Sequence, residues 1–324
     1  MVYARGQTVW NIVAVIYRQS IVLGAMFLIA GEFLLACMGA TIKWTSSGLP
    51  SEMIVFFRNL FGLLALSPLI VKIGVHVLKT DVFVLHLLRG LAGVMAMYCF
   101  FFAIAHIPLA DAMLLKLTSP IFIPMIAMLW LKERFPVAAR WALLIGFVGV
   151  WLILKPGGDA FNWVMLVAIA GGVAAAVAKV TIRRLSATEP AVRTVFYFAV
   201  IAAGVSALPL VWAWQMPTLS EWLLLLSLGP LATAGQLLMT RGYAAAPASQ
   251  VGIFTYSSVV FGAGLGWLFW DELWDAVAAT GALLVAVAGA LALGSDRSRP
   301  AQDTDVDLIV DAPLPVAPNA RRSD

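Results

Sequence analysis

The chain has 324 residues, of which 62% are apolar and 12% charged, with a formal net charge of +4. A soluble domain carries roughly 45–50% apolar and about 25% charged residues, so this composition cannot cover a wetted surface, and its apolar excess excludes general disorder. What remains is an all-α integral membrane protein with room for about ten spans of ~20 residues each.

Residues 1–20 carry Arg5 and Arg18 and precede an apolar run without a small-x-small cleavage site, which reads as a retained cytoplasmic N-terminal segment. Cutting at charges, Pro and Gly then gives apolar segments near 21–42, 54–72, 84–105, 110–130, 138–154, 162–180, 192–213, 222–240, 249–270 and 276–293. These are expected to be helices, because a backbone in lipid must satisfy its own hydrogen bonds and the runs are too long and unalternating for barrel strands. Connections are short and leave no room for a soluble domain. Residues 295–324, rich in Pro and Asp, read as a disordered cytoplasmic tail.

Basic residues collect on one side, with Lys72, Lys79, Lys132, Arg134, Arg140, Arg183, Arg184, Arg193 and Arg241 opposed by little beyond Lys43 and Lys155. By the positive-inside rule both termini are cytoplasmic. The net charge is thereby a topological signal and gives no reason to invoke nucleic acid. Cys37 and Cys99 lie inside apolar runs, as small apolar side chains do.

The chain matches itself at a nearly constant offset. Pro108, Ser119, Phe122, Leu129 and Glu133 align with Pro247, Ser258, Phe261, Leu268 and Glu272, each pair 139 positions apart, and Thr41-Ile42-Lys43 aligns with Thr181-Ile182-Arg183 at 140. The halves, 21–154 and 162–293, would hold five spans each. An odd number makes the second half enter from the opposite face, giving two inverted-topology five-helix repeats, the architecture of alternating-access transporters.

The run HIPLADAMLLKLTSPIFIPMIAMLWLKERF at 106–135 resembles the fourth-span signature of the EamA family in the drug/metabolite transporter (DMT) superfamily. Its marks are a small-polar entry after a proline, a Ser-Pro in mid-helix, and a Glu at the far end followed by a basic residue. The second copy, at 245–273, is similar to the family's ninth span but has Val259 where a proline would follow Ser257-Ser258. The resemblance implies ten helices, cytoplasmic termini, and a central cavity formed mainly by the first, third, fourth, sixth, eighth and ninth. It also implies transport of small metabolites, mostly export of amino acids and their derivatives.

Ionised groups deep in the bilayer cost ~2.5–3.5 kcal/mol at the centre and so face a cavity or a partner. Lys116 lies about six residues inside its span and Glu32 about eleven. They read either as a pair that binds a zwitterion, with Glu32 able to exchange protons with H+ as coupling ion, or as a structural ion pair. Pro120 and Pro124 free carbonyls for a helix break beside Ser119. Four consecutive hydroxyls at 255–258 cannot share one face, and Tyr256 or Ser257 is taken for the lining. Gln236 adds an amide that donates and accepts, and Tyr98, Phe100, Trp44 and Trp267 offer rings. Arg58 and Arg89, near span ends, are expected to snorkel.

Enzyme chemistry finds no support. His76, His86 and His106 make no metal spacing, no Walker A loop or triad is present, and no cofactor is expected. The expectation is an inner-membrane secondary transporter exporting a small polar, amino-acid-like metabolite, as monomer or homodimer in the lipid bilayer. The alternatives are an importer of a vitamin or nucleotide-like cofactor, an opine-type metallophore exporter, or a lipid-modifying membrane enzyme.

Overall fold

The computed structural model describes residues 20–106, 117–154, 163–271 and 275–297, and no strand occurs among them. The segments 1–19 and 298–324 lie outside the described residues, as do Pro108, Lys116 and Glu272. The first half contributes α1 (Ile21–Thr45), α2 (Ser51–Ile73), α3 (Phe83–His106), α4 (Ser119–Ile126) and α5 (Val137–Leu154). The second contributes α6 (Trp163–Leu185), α7 (Ala191–Ala207), α8 (Leu219–Ala245), α9 (Ser257–Trp270) and α10 (Ala276–Arg297). Among the described residues, seven segments are long and apolar enough to cross a membrane, one of them running from Ala248 through α9, and shorter apolar helices stand at Ser119–Leu131, Val137–Ile153 and Ala191–Ala207.

Local chemistry sets the helix ends. Ser20 caps α1 by accepting the Leu23 amide at 3.3 Å, relieving one of the donors that every helix start leaves free. Thr218 and Glu221 form a reciprocal capping box at the start of α8, which therefore begins at Leu219 and not near 222. The seventh helix stops at Ala207, short of the expected 213, because Pro209 lacks an amide hydrogen and starts a separate turn, Leu210–Ala213. Conversely α6 continues past 180 to Leu185 and carries Lys179, Arg183 and Arg184 on its last two turns.

The inverted repeat is visible in the backbone. Among the described residues, Lys132 (φ 55°) and Asp271 (φ 53°) are the two non-glycine residues with positive φ, and they lie 139 positions apart. Each ends its helix in the left-handed conformation, which costs an L-residue energy and is retained where a sharp stop is needed. Close helix contacts repeat as well. A Cβ on Gly31 of α1 would lie 3.1 Å from the Gly235 carbonyl of α8, and one on Gly171 of α6 would lie 3.5 Å from the Ala96 carbonyl of α3. Residues 31 and 171 differ by 140, and 96 and 235 by 139. The α1–α8 contact is antiparallel, since Gly24 also meets Gly242. At the centre of symmetry α5 and α10 touch through Gly149 and Gly281, where a Cβ on the first would come within 2.6 Å of the other's carbonyl. Such small-residue seams bring backbones close without a hydrophobic drive between helices.

The two halves nevertheless break differently. In the first, α4 starts only at Ser119 after a turn and passes into a π-helical stretch, Ala127–Leu131. In the second, the break comes before α9, as a 3-10 stretch Gly252–Tyr256 following the single turn Ala248–Val251. Both breaks thus fall just ahead of the repeat-related serines Ser119 and Ser258, and the halves differ in the π-helical stretch into which α4 runs.

Candidate functional site

One face of α8 carries the polar centre. Thr233, Gln236, Thr240 and Tyr243 are all buried and follow each other at spacings of three, four and three, so they share a stripe along the helix. Thr233 donates to the Gly62 carbonyl at 2.7 Å, fixing α8 to α2. Ten residues further, about 15 Å along the axis, the Tyr243 hydroxyl lies 3.4 Å from Thr255 Oγ1. The Thr240 hydroxyl between them is buried with no hydrogen-bond partner among the described residues.

Lys179 of α6 enters this stripe from the side. Its Nζ lies 3.4 Å from Ser119 Oγ at the start of α4 and 3.4 Å from Thr255 Oγ1 ahead of α9. The ammonium therefore gathers groups from both repeats at the two helix breaks, where the backbone is free to offer polar atoms to the interior of the bundle. Glu32 of α1 is 6% exposed. It follows Gly31, where α1 and α8 come close at Gly235.

Two arginines complete the centre. Arg89 of α3 is 3% exposed and Arg58 of α2 is 9% exposed, so neither snorkels. Arg89 donates from Nη2 to Gln236 Oε1 at 2.9 Å, and its guanidinium lies over the Phe198 ring of α7, 4.0 Å from the centroid. Room for it comes from Gly93, where a Cβ would stand 2.7 Å from Nη1. Arg58 donates to its neighbour Asn59 Oδ1 at 3.1 Å and contacts the sulfurs of Met38 and Met97 at 3.2 and 3.8 Å. Asn59 in turn donates to Ser206 of α7 at 3.3 Å. Arg58, Phe198, Thr233 and Gln236 line one cleft, which adds α2 and α7 to the helices the resemblance implied.

The two ends of the bundle are closed by different chemistry. Where the start of α1 meets the end of α8, Arg183 Nε pairs with Glu133 Oε1 at 3.2 Å, and Glu133 Oε2 accepts the Ser249 amide at 3.1 Å. Arg183 also donates to the Ala244 carbonyl at 2.8 Å, and Ser249 Oγ to the Arg134 carbonyl at 3.2 Å. The ends of α4, α6 and α8 are thus latched together. At the same end a buried His86 lies 3.2 Å from Glu189, which pairs with Arg193 at 2.7 Å, tying α3 to the α6–α7 turn. At the opposite end Trp44 packs on Phe269 and Trp270 with centroids 4.9 and 5.0 Å away, and Lys43 Nζ sits 4.2 Å over Trp270. Residues 43 and 183 are repeat counterparts, so one pseudo-symmetric position makes a cation–π contact where the other makes an ion pair.

Of the residues singled out from sequence, Ser119 stands with Lys179 and Thr255, Gln236 with Arg89, and Glu32 is buried on α1. Lys116 lies outside the described residues. Pro120 and Pro124 are buried in α4, directly after the break. Of the four hydroxyls at 255–258, Thr255 and not Tyr256 or Ser257 turns to the polar centre. The Tyr256 ring packs on α5, where a Cβ at Gly146 would meet it at 2.7 Å, and its buried hydroxyl has no partner. Ser257 donates back to the Phe254 carbonyl at 2.7 Å. The Tyr98 hydroxyl is buried without a partner, beside Phe198 and Ala202. Trp267 is 55% exposed on the outside of the bundle. Lys179 and the interior placement of Arg58 and Arg89 were missed. In the observed helices each stands six or seven residues from an end, ~10 Å, whereas in the apolar runs of the sequence Arg58, Arg89 and Lys179 lie only four, five and one positions inside. Among the described residues no three His, Cys, Asp or Glu come together as for a metal.

Comparison with known proteins fits this architecture. The chain is 40% identical over 268 residues to the pseudopaline exporter of Pseudomonas aeruginosa, covering 82% of this chain and 94% of that one. It is 28% identical over 250 residues to a riboflavin transporter of Vibrio cholerae, covering 76% and 84%. It is 26% identical over 273 residues to an S-adenosylmethionine uptake transporter of Rickettsia bellii, covering 82% and 94%. A solved crystal structure shares the fold with a TM-score of 0.73 at 22% identity, covering 86% of this chain and 99% of that one. The profile of the EamA-like transporter family matches residues 22–155 and 162–294, and the chain belongs to that family.

Proposed function

We propose that this protein is a secondary transporter of the inner membrane that exports a small polar, amino-acid-derived metabolite by alternating access, with a cargo of the pseudopaline kind as first choice. The observation that carries this reading is the mid-membrane polar centre, in which Glu32, Lys179, Ser119, Thr255 and the Arg89–Gln236 pair are supplied by both repeats. Fixed polar groups so deep are costly unless they serve a substrate path. The 40% identity to the pseudopaline exporter supports both the direction and the cargo class.

With the orientation read from the sequence, the Glu133–Arg183 end faces the cytoplasm, and the structure is the conformer closed on that side. Cargo loads when the latch opens and leaves past Trp44 and Trp270 once it has reformed. Lys179 and the hydroxyls it touches hold polar parts of the cargo, while Glu32 exchanges protons where export is coupled to H+. A second reading, import of a ring-bearing compound, is favoured by the names of the riboflavin and S-adenosylmethionine relatives. Counterflow in proteoliposomes with amino-acid-derived metallophores, riboflavin and S-adenosylmethionine separates the two. Exchange of the first class supports export of such compounds, and exchange of riboflavin or S-adenosylmethionine alone supports the second reading.

A further inference from the structure

Arg58 and Arg89 are both at least nine-tenths buried, yet neither has a carboxylate within ion-pair distance among the described residues. Their hydrogen bonds go to the neutral amide oxygens of Asn59 and Gln236 and, for Arg58, to two methionine sulfurs. Among the described residues the buried Arg89 Nε–H has no acceptor. Both are tied to one cleft, Arg58 by lining it beside Gln236 and Arg89 by its bond to the Gln236 oxygen. A buried, uncompensated cation is among the most destabilising groups a fold can hold, and two side by side compound the cost.

Everything around them holds the guanidinium planes in place without neutralising them. Phe198 supplies a ring face under Arg89, Gly93 leaves space above it, and Gln236 orients it through an oxygen that takes only one of its five donors. Arg58 and Gln236 line the same cleft. An arginine fork matches a carboxylate with two parallel hydrogen bonds, which a lysine cannot do.

We propose that Arg58 and Arg89 form a subsite that binds a carboxylate of the transported metabolite, with Gln236 as the positioning residue. The subsite rests on the transport reading above and names the group its cargo must carry. It lies apart from Lys179, so a cargo bearing a carboxylate at one end and another polar group at the other would span the α8 stripe from Gln236 toward Tyr243.

The test uses the full-length protein in detergent, with malonate as probe, inorganic phosphate as the rival oxyanion and chloride at matched ionic strength. Binding is read by thermal shift and by protection of Arg58 and Arg89 from phenylglyoxal, mapped by mass spectrometry. Malonate should raise the unfolding temperature and protect both arginines. R58Q and R89Q should each weaken it about 10- to 100-fold, the range for losing a charge-assisted bidentate contact. R58K and R89K, which keep the charge and serve where the glutamine variants fail to fold, should weaken it by a smaller factor. G93A, which puts a methyl group against Arg89 without altering any charge, should weaken it too. Absence of malonate protection, or unchanged affinity in these variants, overturns the proposal, and tighter binding of phosphate than malonate overturns the carboxylate assignment. Because binding is read without a gradient, arginine-dependent binding with no flux in liposomes defeats the transport reading alone. Flux without arginine-dependent binding defeats the subsite alone.

Discussion

Separating Glu133 from Arg183 should open the end of the bundle that this ion pair latches. Glu133 accepts from Arg183 Nε at 3.2 Å and from the Ser249 amide at 3.1 Å, with side chains 11% and 15% exposed for the acid and the arginine. Glu133→Gln keeps an acceptor for Ser249 and removes only the charge, so it isolates the ion pair. At this burial the loss is about 2 kcal/mol, or roughly 30-fold in the closed-to-open ratio. Arg183→Gln also releases the Ala244 carbonyl, raising the loss to about 3 kcal/mol and roughly 150-fold. The double variant should be no worse than Arg183→Gln, because the second change removes nothing that the first has left. The assay is the rate at which an impermeant maleimide, added from the Glu133 side, labels a cysteine placed at Thr240 in a background lacking Cys37 and Cys99. Labelling rates that do not rise, or that multiply in the double variant, would refute the latch.

Lys179→Met should lower flux at least tenfold, with an unchanged elution profile in detergent, since the ammonium joins Ser119 to Thr255 across the repeats; transport at the wild-type rate would count against its role. Thr255→Val should reduce flux several-fold while Tyr256→Phe and Ser257→Ala leave it near wild type, because only the first hydroxyl faces the centre. Gly149→Ala should cost about 1–3 kcal/mol in thermal or denaturant unfolding, the usual penalty of overpacking, as its Cβ meets the Gly281 carbonyl at 2.6 Å. Gly204→Ala, with nothing within 4 Å, is the neutral control, and equal effects of the two would contradict the α5–α10 seam.

Much of the architecture was legible because lipid constrains sequence so strongly. Long apolar runs must be helices, and a constant offset between Ser119 and Ser258 or Glu133 and Glu272 has no local cause, only a repeated fold. The left-handed stops at Lys132 and Asp271 carry the same offset into the backbone. Rotation about the helix axis was not legible. In a segment apolar all round, no periodicity says which side faces lipid, so Arg58 and Arg89 read like snorkelling residues and nothing marks Lys179 as facing inward. The same gap explains the choice of Tyr256 over Thr255. The 3-10 stretch before α9 resets the rotation by an amount that counting at 100° per residue does not supply.

The central claim, that the polar centre binds and passes an amino-acid-derived cargo, is tested most directly by exchange of a radiolabelled pseudopaline-class metallophore in proteoliposomes, comparing wild type with Glu32→Gln, Lys179→Met and Arg89→Gln. The account predicts saturable exchange in the wild type and a fall of at least tenfold in each variant that still elutes as folded protein. Saturable exchange that survives all three substitutions would place the substrate path elsewhere and contradict it.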